Sequence, residues 1–82
     1  MFADMLLDRI TSRPDVFGGK PIVRDLRISV ELILGLLEQG VTEAEILADY
    51  PSLDVADIRA CLAYARAVIS SDSLDAVRVA SP

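Results

Sequence analysis

Histidine and tryptophan are absent from this 82-residue chain, and cysteine occurs once, as Cys61. One thiol excludes an internal disulfide. With no imidazole beside it, the common zinc-ligand sets cannot be assembled. The same absences leave no nucleophile–base pair, because no serine or cysteine has an imidazole to activate it. Aromatic residues are few, two Tyr and two Phe. No apolar run approaches the ~20 residues that span a bilayer. The N-terminus lacks the basic, apolar and small-residue succession of a secretory signal. These absences predict a cytoplasmic, non-enzymatic chain with no cofactor, no metal and no membrane contact.

What is present is apolar. Hydrophobic residues make up 52% of the chain and the mean hydropathy is +0.42. A chain of this size forms one domain and hides only about 60–65% of its unfolded surface. The surplus predicts association, most simply as a homodimer. The net charge of −5 weighs against nucleic-acid binding over the whole surface. Charge is nevertheless uneven. Residues 9–27 carry Arg9, Arg13, Lys20, Arg24 and Arg27 against Asp15 and Asp25, a local +3. Residues 42–82 carry seven acids against Arg59, Arg66 and Arg78, a local −4.

The chain divides into an N-terminal segment (1–8), a helical domain with a β-arm (9–69) and a tail (70–82). Phe2 to Leu7 is a short apolar piece. Arg9-Ile10-Thr11 suits an edge strand, followed by a Pro14-Asp15 turn. Gly18-Gly19 forms a corner, and Pro21-Ile22-Val23 and Arg27-Ile28-Ser29 are extended around a tight connection. Ser29 caps a first helix ending near Gly40, which suits a left-handed C-cap. That helix is apolar almost all round, so Val30, Ile33, Leu34 and Leu37 are the expected dimer contact. Thr42 and Glu45 form a capping box for a second helix, stopped by Pro51. Asp54 and Asp57 open a third, running to about Ile69. Its expected core stripe is Val55, Ile58, Leu62, Ala65 and Ile69, widened by Cys61, Tyr64 and Val68. The fold class is therefore mostly α with a short β element (α+β).

A tri-helical order invites a helix-turn-helix reading, but Asp54 and Asp57 would bring two carboxylates to the phosphates. The cations Lys20, Arg24 and Arg27 are better candidates for nucleic-acid contact, with solvated or ion-paired charges as the plainer reading. Gly18-Gly19-Lys20 lacks the spaced first glycine and the hydroxyl residue of a phosphate loop. Cys61 reads as a small core residue.

Several segments together resemble the domain-of-unknown-function 433 family. They are Gly19-Lys20-Pro21-Ile22-Val23-Arg24, Arg27-Ile28-Ser29-Val30, Leu36 to Leu47, Tyr50-Pro51-Ser52-Leu53, Asp57-Ile58 and Leu62-Ala63-Tyr64-Ala65, covering roughly residues 9 to 67. The resemblance implies a homeodomain- or winged-helix-like three-helix core behind a β-hairpin arm, commonly dimeric. It also implies an antitoxin of VapB type, partnered by a PIN-like ribonuclease toxin and often bound to its own operator DNA. One departure is Asp25-Leu26, where the family usually has Gly-Thr. The added acid lowers the charge of the arm. For contact with the toxin, the expected segment is Leu74, Val77, Arg78 and Val79 in the tail, which is too short and polar to order alone. The alternatives are a DNA-binding autoregulator and a purely structural dimerisation domain.

Overall fold

The structure is a computed structural model that describes residues 2–71, so Leu74, Val77, Arg78 and Val79 lie outside the described residues. Along the chain come α1 (Phe2–Leu7), β1 (Ile10–Thr11), a 3-10 turn at Phe17–Gly19, β2 (Ile22–Val23), α2 (Val30–Glu38), α3 (Glu43–Asp49) and α4 (Val55–Ser70). The fold is mostly helical, with a short antiparallel hairpin arm. Three of the four helices fall where caps and periodicity place them. The additional one is α1, which lies along α4.

The arm is held by backbone bonds. β1 and β2 pair antiparallel, Ile10 opposite Val23 and Thr11 opposite Ile22. The other edge of β2 meets the next stretch, through an Ile22–Ser29 bridge and a 3.0 Å bond from the Val23 amide to the Ile28 carbonyl. The first amide of α2, on Val30, donates to Pro21 at 3.0 Å. The two extended segments expected around a tight connection are thus present, and they are tied to the start of a helix. The corner before β2 needs its glycines, since Gly18 and Gly19 have φ of 63° and 88°.

α2, α3 and α4 each start on a side-chain cap. The Ser29 hydroxyl accepts from the Leu32 amide at 3.0 Å. Thr42 and Glu45 bond reciprocally, as do Asp54 and Asp57. α2 ends at Glu38, and Gly40, just past the Gln39 C-cap, takes the left-handed conformation with φ of 89°. α3 ends at Asp49, one residue before Tyr50-Pro51.

The core gathers Val23, Ile28, Val30, Ile33, Ile46, Leu53, Ile58 and Cys61. Two features differ from the periodicity. On α2, only Val30 and Ile33 are buried, and Leu32 is exposed. The described residues therefore cover only one face of this apolar helix. On α4, the buried residues are Asp57, Ile58, Ala60 and Cys61, while Val55, Leu62 and Ile69 are exposed. The inward face is rotated away from the expected stripe because a carboxylate, Asp57, points into the body.

Candidate functional site

Asp57 is fully buried, and four donors reach it. Arg24 straddles it, Nε to Oδ1 at 3.0 Å and Nη2 to Oδ2 at 2.7 Å. Arg9 Nη1 donates to Oδ1 at 2.9 Å, and the Asp54 amide to Oδ2 at 3.0 Å. Arg9 also bonds Asp54 at 3.1 Å, and Arg24 Nη2 bonds the Ser52 carbonyl at 2.8 Å. The backbone is arranged to match. Arg24 sits at φ 49° and its amide donates to the Arg9 carbonyl at 2.6 Å. A left-handed non-glycine residue costs about 1–2 kcal/mol, which the guanidinium bonds offset.

Burial alone would push the Asp57 carboxyl up. The bonds from Arg24, the Asp54 amide and Arg9 outweigh it and hold the group down at about 2, below its ordinary 3.8. A depressed carboxylate stabilises the fold above its unfolded value and loses that contribution as pH falls through the folded one. The difference is worth about 2 kcal/mol. Urea unfolding of the wild type and Asp57→Asn should therefore show a gap that is constant from pH 7 to about 5 and shrinks by about 2 kcal/mol towards pH 2. A gap that does not change with pH would refute this role.

The cluster is structural. An ionised carboxylate offers about four acceptor positions, and on Asp57 all are taken. No lone pair is left for a substrate or a metal. Cys61 is equally closed, since burial, with Asp57 nearby, pushes its thiol up to about 11.

The cations of the arm separate into three situations. Arg24 is committed to Asp57. Lys20 Nζ pairs with Glu31 at 2.7 Å on the surface. Arg27 is exposed and has no ion-pair partner among the described residues. Asp25 pairs with Arg13, whose guanidinium also lies 3.7 Å from Asp15. The acid at the Asp25-Leu26 departure thus engages a cation of the same arm. Among the expected dimer contacts, Val30 and Ile33 are inside the chain's own core, which leaves Leu34 and Leu37, half-buried, with surface to offer.

Beside α2 the described residues also form an open hollow that the sequence does not predict. A groove of about 590 Å³ runs between α2 and the end of α4. Leu34 and Gly35 form one side, and Tyr64, Ala65, Val68 and Ile69 the other, with Lys20, Glu31 and Glu38 at its rim. Val68 lies one heptad after Cys61, on nearly the same face of α4. Cys61 is wholly buried, yet Val68 is 52% exposed and Ile69 63%. Among the described residues, the inward stripe of α4 continues past the elements that cover it. Sequence periodicity marked these residues as apolar but could not show where cover stops.

The family model described as a protein of unknown function, DUF433, matches residues 10–65. The chain belongs to the DUF433 family. The crystal structure of a DUF433 member protein from Anabaena variabilis superposes with a TM-score of 0.72 and 31% identity, over 85% of this chain and 69% of that one. The uncharacterised protein y4eO of Sinorhizobium fredii is 38% identical over 58 residues, 71% of this chain. That stretch is 26% of y4eO, so the chain spans about a quarter of its length. Arg24 and Asp57, whose ion pair helps to join the arm to α4, both lie within the DUF433 match.

Proposed function

We propose that this DUF433 chain is a non-enzymatic, antitoxin-like protein of a type II toxin–antitoxin pair. It neutralises a PIN-like ribonuclease by direct binding. The observation that carries the reading is the apolar end of α4, where Val68 and Ile69 face outward next to an open groove. A surface of this kind favours protein contact. The charged residues favour the same reading, because Asp57, Arg24 and Arg9 are used up in holding the arm to α4.

α4 ends at Ser70 and leads directly into the tail. Leu74, Val77 and Val79 supply apolar contacts there, and Arg78 meets the acidic, metal-binding carboxylates of the toxin, which the tail then occludes. The finer identity of the core as homeodomain- or winged-helix-like belongs to the same proposal. Of the three arm cations expected to meet an operator, only Arg27 is without a carboxylate partner among the described residues, since Lys20 and Arg24 have theirs. Protein binding is therefore the favoured reading over DNA autoregulation or a purely structural role.

The test is removal of residues 71–82. The truncated chain should keep its helical content and lose binding to the PIN-like protein by calorimetry. Undiminished binding would refute the tail as the contact.

A further inference from the structure

We infer that the outer face of α4, with the hollow at its α1 end, is a docking surface for an acidic amphipathic helix of a partner protein. The face is a single stripe. Val55, Arg59, Leu62 and Arg66 follow one another at spacings of four, three and four, so they share one side of α4 over about 16 Å. All four are exposed, Val55 by 41% and Leu62 by 46%. The core stripe expected of α4 includes both apolar residues, yet neither packs in the core. The stripe lies about 120° around the helix from Tyr64, Ala65, Val68 and Ile69. It is therefore a different surface from the groove beside α2.

The α1 end of the stripe is hollowed. Met5 and Leu6 of α1 and Val55, Ala56 and Arg59 of α4 line a space of about 520 Å³, within the ordinary range of ligand pockets. Arg9 completes the lining, fixed in place by Asp54 and Asp57. Apart from the two arginines the lining is apolar, and Met5 is 67% exposed. An apolar side chain from outside can enter here beside Arg59.

Charge identifies the occupant. Asp57 is the one acid within α4 and it is buried, so the exposed surface of this helix carries Arg59 and Arg66 and no carboxylate. Neither arginine has an ion-pair partner among the described residues. On a chain of net charge −5, unpaired cations set between apolar side chains complement a partner with carboxylates at matching places. The alternation dictates its form. One apolar group must reach the hollow and another Leu62, while carboxylates reach Arg59 and Arg66. A helix with anchors at i, i+4, i+7 and i+11 supplies all four. A second copy of the chain would set two cationic stripes against each other, and the net charge repels an anionic lipid surface.

Fluorescence anisotropy with the full chain tests this. The probe is a labelled, amidated peptide of about 18 residues, long enough to cover the stripe. Leu and Glu alternate along one face at the spacings of the stripe, with Ala and Gln elsewhere. The wild type should bind it saturably. Arg59→Glu combined with Arg66→Glu should weaken binding at least about tenfold, and Leu62→Asp at least about fivefold. Circular dichroism should not change, because these side chains are exposed. A probe with Lys in place of Glu should be ignored by the wild type and bound by the doubly substituted chain. Ile69→Asp should leave binding unchanged, which separates this face from the contact proposed for the toxin. No saturable binding by the wild type up to about 1 mM overturns the inference. So does equal binding of a shuffled probe of the same composition, indifference to the arginine exchange, or an equal loss on Ile69→Asp. Phosphatidylglycerol vesicles that bind through Arg59 and Arg66 where the peptide does not would assign the face to lipid and overturn it as well.

Discussion

Asp57→Ala should lower stability by about 3 kcal/mol, in the range for breaking a buried ion pair by removing one partner. The loss has three parts. Arg24 loses both of its bonds to the carboxylate, Arg9 loses one, and the reciprocal cap of α4 is halved. The guanidiniums are partly exposed, 41% for Arg24 and 34% for Arg9, so water takes over some of their solvation and keeps the cost from rising further. A chain of this length has total stability of only about 4–12 kcal/mol. The expected fall in melting temperature is about 12–24 °C. The loss should concentrate where the bonds were. Arg24 would lose what holds it at positive φ, and the β2 turn should exchange its amides faster while α3 is little affected. A drop below about 1 kcal/mol would show that the cluster is only a surface pair.

Ile33→Ala should cost about 3–4 kcal/mol, and its neighbour Leu32→Ala about 1 kcal/mol or less. Ile33 is fully buried among Val23, Ile46, Ile58 and Cys61, and the close-packed surroundings cannot collapse around the lost carbons. Leu32, on the same helix, is 37% exposed. The comparison also decides whether Ile33 faces a partner or the chain's own core. In the first case its loss would dissociate copies and leave folded monomers. In the second it lowers the denaturant midpoint by the same amount at low and at high protein concentration. Urea melts of the wild type and Ile33→Ala at two concentrations distinguish the two.

The helices were legible because their signals are local. Ser29, Thr42 and Asp54 are hydroxyl or carboxylate caps within a few residues of the amides they serve, and Gly40 and Pro51 mark stops that depend only on backbone geometry. The phase of α4 was less legible for a physical reason. Periodicity counts a carboxylate as outward-facing, and Asp57 faces inward because Arg9 and Arg24, 48 and 33 residues away in sequence, neutralise it. The available signal was its position. Asp57 and Arg24 both belong to the segments that carry the family resemblance, and opposite charges in two such segments suggest a pair. α1 was missed because six residues are too few for a helical period to register without the α4 surface on which they lie.

The groove was hidden for a related reason. Val68 and Ile69 read as core because their spacing continues that of Ile58 and Cys61, and a sequence gives no sign of where a helix outruns its cover. Likewise, Lys20, Arg24 and Arg27 look equivalent along the arm. In the fold they have different fates: a surface pair, a buried carboxylate and open solvent.

Neutralisation is tested most directly by titrating RNA cleavage. The enzyme is the partner that the proposal requires, a PIN-like ribonuclease to be sought beside this chain's gene, and the titrant is the purified full-length chain. Cleavage should fall to zero near equimolar chain and enzyme, and return when residues 71–82 are removed. Cleavage that continues undiminished under excess full-length chain would contradict the antitoxin reading.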